Sequence, residues 1–283
     1  MSTITPLSIA HATLADALLP AVLEAARIQM RYFRSRTAVT TKADASPVTA
    51  ADQESEAIIL AALATLAPAV PVVAEEAMAA GRMPEIGGGA ESEFFLVDPL
   101  DGTREFIADR PEFTINIALV RNRAPRFGII YAPALDLLYA TIADDLAVEA
   151  RLEPSSAAVS FADLQVQPIK SRVAPPAGLV AVASRSHGSA GTEAFLGQYR
   201  IERRTAAGSS LKFCLVAKGE ADIYPRVGQT NEWDTAAGQA ILTSAGGCVT
   251  TLDGAPMTCG HSERRFRNPD YVAWGRGPLP PQF

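Results

Sequence analysis

The stretch Phe94-Phe95-Leu96-Val97-Asp98-Pro99-Leu100-Asp101-Gly102-Thr103 decides how the rest of the chain is read. Its apolar start makes a short buried strand, and the strand runs straight into a carboxylate. Pro99 fixes the turn after it, a second carboxylate comes three residues after the first, and Gly102 permits a close backbone approach. An oxygen-rich pair with no His or Cys beside it suits a hard cation such as Mg²⁺. Thr103 opens what reads as a short helix, whose first amides would form an anion site. An Asp-Pro turn followed by an N-cap accounts for the same residues without any ligand, so the surroundings must arbitrate.

Other acidic residues stand at comparable places. Glu75 and Glu76 follow the apolar run 72–74, again at a strand end. Such a pair beside buried apolar chain is costly unless it is solvated or holds a cation. Asp234, in Glu232-Trp233-Asp234-Thr235-Ala236-Ala237, and Asp52, in Ser46-Pro47-Val48-Thr49-Ala50-Ala51-Asp52, each sit at a helix start, where Asp is also an ordinary cap. Taken together, acidic residues at element ends beside apolar segments are how a metal site is assembled from distant pieces of chain.

Upstream of that stretch, Leu19, Val22, Leu23, Ala26, Met30 and Phe33 follow the spacing of one helix face, with Pro20 expected near the helix's first turn. A second helix should begin near 49–52 and carry Ile59, Leu63 and Leu66 inward. Residues 57–74 form an 18-residue run without a charge, long enough to raise the question of a membrane span. Pro68 and Pro71 break it, so a buried helix followed by a short strand fits better. Downstream, the period changes to two at 114–120, and strands at 126–131, 137–142 and 147–150 predict an antiparallel meander. Residues 151–176 read as irregular, with Pro154, Pro168, Pro175 and Pro176. A boundary placed there divides the chain into 1–172, an α+β part with most candidate ligands, and 173–283, a smaller α/β part. In the second part, strands at 179–183 and 222–224 alternate with helices at 188–198, 210–217 and 234–245, the last closed by Gly246 and Gly247.

Composition excludes several classes. With 48% hydrophobic and 20% charged residues, the 283-residue chain can build a sizeable core and is not a disordered protein. Its 25 basic against 31 acidic residues, a net charge of −6, argue against a nucleic-acid polymer as partner. Cys214, Cys248 and Cys259 have neither disulfide-framework nor zinc spacing, and no signal-peptide pattern opens the chain. The expectation is a cytoplasmic protein with no integral membrane segment, at most peripheral to the inner face of the membrane. His11 and His261 lie outside every motif and read as surface residues.

The run DPLDGTREF resembles a signature of the inositol monophosphatase superfamily of metal-dependent, lithium-sensitive phosphatases. EWDTAAGQA resembles that superfamily's second signature, and VAEE and SPVTAADQ fall where its earlier motifs stand. Within the superfamily the resemblance is strongest to the CysQ-type 3′(2′),5′-bisphosphate nucleotidases. It is carried by Glu112-Phe113-Thr114-Ile115-Asn116-Ile117, Ala183-Ser184-Arg185-Ser186-His187, Gly208-Ser209-Ser210-Leu211-Lys212-Phe213 and Ala221-Asp222-Ile223-Tyr224-Pro225-Arg226.

That resemblance implies a layered αβαβα sandwich, with an antiparallel sheet in the first part, α/β structure in the second, and the active site between them. It also implies two or three Mg²⁺ ions per site and inhibition by Li⁺. By the same likeness, Glu75, Asp98, Asp101, Asp234 and the Leu100 carbonyl would be the metal ligands, and Glu75 would also help hold the attacking water. Asp52 would pair with the Thr103 hydroxyl to orient and deprotonate that water. The amides of Gly102 and Thr103 would hold the phosphate being cleaved. Ser184, Arg185, Ser186, His187, Ser209 and Lys212 would meet the nucleotide and its second phosphate. The substrate so implied is a small phosphorylated molecule, 3′-phosphoadenosine 5′-phosphate, a by-product of sulfate assimilation.

Two positions depart from the family pattern: Ala74 where Ser is common, and Arg104 where many CysQ-type proteins have Lys. The second bears on substrate preference, because a forked guanidinium and a point charge are not interchangeable. A nucleotide with two phosphates needs cations for the one that stays, and Arg104, Arg185, Lys212 and Arg226 are the candidates. Inositol phosphates and fructose 1,6-bisphosphate are the alternative substrates. A metal-binding scaffold without turnover is the alternative class, disfavoured because no ligand position is substituted.

Overall fold

The computed structural model describes residues 9–35, 39–41, 47–87, 92–184 and 189–281. Helix α1 (His11–Tyr32) is followed by a small antiparallel ribbon, β1 (Val39–Thr41) with β2 (Pro47–Thr49), and by α2 (Ala50–Leu66). Then come β3 (Val72–Ala74), α3 (Glu75–Ala79), β4 (Glu93–Asp101), α4 (Thr103–Ile107), β5 (Thr114–Arg121), β6 (Ala124–Ala132), β7 (Leu137–Ala143), β8 (Leu146–Arg151) and β9 (Val166–Ile169). The second half holds β10 (Leu179–Ser184), α5 (Ala190–Leu196), β11 (Ile201–Ala207), α6 (Leu211–Ala217), β12 (Ile223–Arg226), α7 (Glu232–Ser244), β13 (Cys248–Thr251) and β14 (Tyr271–Trp274).

Strands β3 to β9 form a seven-stranded sheet in chain order, parallel at β3–β4 and antiparallel elsewhere. Short hairpins dictate the run from β5 to β8. At the β5–β6 turn, Asn122 and Arg123 both take positive φ, the backbone that matches the twist of a two-residue hairpin. The second sheet runs β11-β10-β12-β14-β13, with β10 parallel to both β11 and β12 and the other pairs antiparallel.

Alternation along the strands sorts the core into layers. Phe95 and Val97 point to one face of the large sheet, where Leu14, Leu18 and Val22 of α1 and Ile59 and Leu63 of α2 cover them. Phe94 and Leu96 point to the other, against Ala236, Ala237 and Ile241 of α7 and Val216 of α6, which also pack on Val182 and Tyr224 of the second sheet. Beyond that sheet, Leu179 and Ala181 meet Phe195 and Leu196 of α5. Each Val, Leu, Ile or Phe among these that is fully removed from water contributes roughly 1.5–3 kcal/mol. The order is helix, sheet, helix, sheet, helix, as the family resemblance implied. Gly128 lets the central layer close: a Cβ there would lie 2.4 Å from the Ala237 carbonyl oxygen, so α7 rests directly on β6.

Several local expectations are corrected. Pro20 lies mid-helix, because α1 begins at His11. Its ring is on the exposed face, where water can reach the carbonyl it leaves unpaired, while buried Leu18, Leu19, Val22 and Leu23 hold the helix together. The stretch read as irregular contains β9, which tolerates Pro168 because it is an edge strand. Strands β11, β13 and β14 complete the second sheet where no strand was expected. The two histidines read as surface residues turn inward. His11 packs 5.9 Å from the Phe127 ring with its side chain 9% exposed, and His261 contacts Arg123 and Thr258 with 18% exposure. The charge-free run divides into α2 and β3, and no described helix is long and apolar enough to cross a membrane.

Candidate active site

The pairing of β4 with β5 explains how Asp98 and Asp101 come to share a site. Asp98 faces Asn116 and Asp101 faces Thr114, so two β4 residues, Pro99 and Leu100, oppose the single β5 residue Ile115. In a regular strand, residues three apart point to opposite faces; one extra residue reverses the parity and turns both carboxylates the same way. Pro99 suits the bulge, having no N–H to leave unpaired, and the Leu100 amide donates to Asp98 Oδ1 at 3.0 Å. Gly102 then takes a φ of +91° to start α4, with the Glu112 carbonyl so near that a Cβ would stand 3.3 Å from it.

Asp52 serves two neighbours at once. Its Oδ2 accepts from the Thr49 amide at 2.8 Å and the Thr49 hydroxyl at 2.6 Å, a capping box at the head of α2. Its Oδ1 accepts from the Thr103 hydroxyl at 3.1 Å. The cap and the pairing with Thr103 therefore coexist, one oxygen each. Glu75 and Glu76 form the first turn of α3, secured from α2 by buried Glu56, whose Oε2 accepts the Glu76 amide at 2.7 Å. Asp234 stands in the first turn of α7, with its Oδ2 accepting the Asn231 amide at 2.7 Å.

The elements that carry Glu75, Asp98, Asp101, Thr103 and Asp234 converge on one cleft open to solvent. Carboxylate oxygens of Glu75, Asp98 and Asp234 lie within 4.8 Å of one another. Asp101 stands beside them, its Oδ2 taking the Ser209 hydroxyl at 2.5 Å and the Asn116 amide at 3.4 Å. Packed surroundings push the Asp234 carboxyl well above its ordinary range, and the charges of Asp101 and Glu75 add to the shift. Desolvation likewise raises Asp101, opposed by the nearby Lys212 charge. Carboxylates gathered this closely repel one another. The donor set is all oxygen, partly dry and strongly anionic, which fits a hard divalent cation and not a soft one.

Leu100, Gly102, Thr103, Arg104, Ser209, Lys212 and Arg226 also line the cleft. The Lys212 ammonium donates to the Ser209 carbonyl at 2.5 Å and lies 5.5 Å over the Tyr224 ring. Arg226 reaches the Gln229 carbonyl at 3.4 Å, while its buried Nε has no partner among the described residues. Ser184 ends β10. Its side chain, and all of Arg185, Ser186 and His187, lie outside the described residues.

Sequence reasoning missed a hydroxyl network that joins the halves. Thr114 Oγ1 lies 2.5 Å from Ser209 Oγ and 2.8 Å from Ser210 Oγ, and the Ser210 hydroxyl donates to Asn116 Oδ1 at 2.7 Å. The signal was present: Thr114 and Asn116 are polar residues two apart in an otherwise apolar strand, the mark of a strand face that meets a polar site. Tyr224 and Tyr271, buried beside the cleft, were not assigned to it either.

Comparison with known proteins agrees with this architecture. The model of the inositol monophosphatase family matches residues 10–274. A curated Escherichia coli K12 protein, the 3′(2′),5′-bisphosphate nucleotidase CysQ, is 41% identical over 233 residues, 82% of this chain and 87% of its own. The crystal structure of CysQ from Bacteroides thetaiotaomicron superposes with a TM-score of 0.75 at 32% identity, covering 94% of this chain and 98% of that one. An inositol monophosphatase structure from Anabaena gives a TM-score of 0.68 at 25% identity, covering 93% and 91%. The chain belongs to the inositol monophosphatase family and is a phosphatase of that family.

Proposed function

We propose that this enzyme hydrolyses the 3′-phosphate of 3′-phosphoadenosine 5′-phosphate to give AMP and phosphate, in a Mg²⁺-dependent reaction inhibited by Li⁺. The observation that carries the reading is the cleft itself: carboxylates of Glu75, Asp98 and Asp234 within 4.8 Å, with Lys212 and Arg226 on the same walls. Its likeness to curated nucleotidases over most of its length supports the nucleotide as substrate.

Glu75, Asp98, Asp101, Asp234 and the Leu100 carbonyl would hold Mg²⁺, two or three ions per site. Bound there, the cation supplies Lewis acidity and charge neutralisation, which a phosphate monoester with so slow an uncatalysed hydrolysis requires. Thr103 donates its own proton to Asp52, which leaves a hydroxyl lone pair to accept from the attacking water. Asp52 then takes up the proton through that hydroxyl, and Glu75 helps fix the water's position. The amides of Gly102 and Thr103 hold the phosphate being cleaved. Lys212, Arg226 and Arg104 balance the phosphate that stays, with Arg185, Ser186, His187, Ser184 and Ser209 completing the nucleotide side. The two parts, 1–172 and 173–283, act as the two sides of this cleft. Free, mostly buried thiols at Cys214, Cys248 and Cys259 suit a cytoplasmic address.

The test is phosphate release from 3′-phosphoadenosine 5′-phosphate, inositol 1-phosphate and fructose 1,6-bisphosphate, side by side, with Mg²⁺, with EDTA and with added Li⁺. Preference for the nucleotide, lost in EDTA and suppressed by Li⁺, is expected. Preference for a sugar or inositol phosphate overturns the substrate reading and leaves the metal site standing. EDTA-resistant turnover overturns the cation assignment.

A further inference from the structure

Gln29 is a fully buried amide in α1, on the far side of β4 from the second sheet. Its side-chain nitrogen donates to the Pro99 carbonyl at 2.6 Å, across 70 residues of chain. A carbonyl can only accept, so the NH₂ end of the amide must be the end that faces it. The same nitrogen lies 3.5 Å from Ser55 Oγ on α2, one turn after Asp52. The other end, Oε1, has no hydrogen-bond partner among the described residues. A buried amide left half-satisfied destabilises the fold where a Leu or Met would not. Its presence calls for a reason other than packing.

The reason lies in the bulge. Pro99 and Leu100 oppose one residue of β5, so the ladder cannot satisfy all their backbone groups. The Leu100 amide donates to Asp98, and the Pro99 carbonyl accepts from Gln29. We propose that Gln29 is a positioning residue: by holding the Pro99 carbonyl it fixes the bulge that puts Asp98 and Asp101 on one side of β4, and so sets the cation affinity of the site. The proposal rests on the reading that these carboxylates bind a divalent cation.

Gln29→Met keeps length and helix propensity and removes the donor. Titration calorimetry of the cation-free enzyme with Mg²⁺ should give a Kd about tenfold weaker than the parent's, the size of effect typical for a residue that orients metal ligands. kcat should fall in step while KM changes little. Hydrogen exchange at residues 100–103, measured without cation, should quicken. Leu19→Ala, an equally buried change on the same helix, serves as the structural control: it should lower Tm and leave the Mg²⁺ Kd unchanged. Parental Kd and parental exchange in Gln29→Met overturn the proposal. If the parent itself binds no Mg²⁺, the cation reading fails, and the exchange arm alone decides whether Gln29 holds the bulge. Should Gln29→Met not fold, Gln29→Asn, which keeps the amide but shortens its reach, carries the same expectations.

Discussion

On the seven-stranded-sheet side of the cleft, acidic groups are held in place by protein donors. Asp52 is fixed by Thr49 and Thr103, Asp98 by the Leu100 amide, and Asp101 by Ser209 and Asn116. The cations that reach the cleft from the second half keep donors to spare. Lys212 bonds one carbonyl, Arg226 touches another at 3.4 Å, and among the described residues neither closes a salt bridge. The contrast separates two tasks. A wall whose groups are fixed before substrate arrives suits the chemical step, which rewards preorganised electrostatics. A wall of long side chains with unused donors suits recognition, because it can settle on whichever phosphate the substrate keeps. Changes on the first wall should therefore appear in kcat, and changes on the second in KM and substrate preference.

The largest effect is expected at Asp98. Asp98→Asn keeps an oxygen to accept the Leu100 amide, so the bulge should survive, but it removes one charge from the cluster. We expect kcat to fall by about a thousandfold or more at ordinary Mg²⁺, roughly 4 kcal/mol of barrier, with circular dichroism unchanged. Full activity would show that the fixed wall is not where catalysis resides.

Thr103→Ala should come next. It removes the hydroxyl that donates to Asp52, the link to the attacking water in the mechanism proposed above, and leaves the Thr49 cap of α2 in place. Loss of a positioned proton relay costs about a hundredfold or more in kcat, measured at saturating substrate. A rise in KM with unchanged kcat would move Thr103 from the chemical step to binding.

The two walls also differ in how much the sequence disclosed. The acidic residues were legible as a set because they stand at strand ends and helix starts: Asp98 and Asp101 share one turn, whereas Asp52 and Asp234 also read as ordinary caps and were singled out only in company with the others and by the family motifs around them. The bulge was not legible, since it depends on the register with β5, and register is a property of two strands. The Ser209–Asp101 contact spans 108 residues and has no local signature. At fold level, the meander from β5 to β8 followed from alternation, whereas β11 was missed. It is an edge strand carrying Glu202, Arg203 and Arg204 on exposed positions, and such charges read locally as loop although they protect an open sheet edge. Pro20 misled for a related reason: a local breaker was overruled by the buried face on either side of it.

The smallest expected effect tests the division itself. Lys212 belongs to the recognition wall by its charge, yet its ammonium also bonds the carbonyl of Ser209, whose hydroxyl holds Asp101. If its task is the phosphate that stays, Lys212→Met should raise KM for a twice-phosphorylated substrate by about tenfold, some 1.4 kcal/mol, and leave inositol 1-phosphate hydrolysis nearly unchanged. That penalty should shrink as salt is added, since screening weakens what the cation contributes. If its task is to hold the Ser209 loop against Asp101, kcat should fall equally for both substrates and salt should matter little. The second pattern would place Lys212 on the fixed wall and leave recognition of the second phosphate to Arg226 and Arg104.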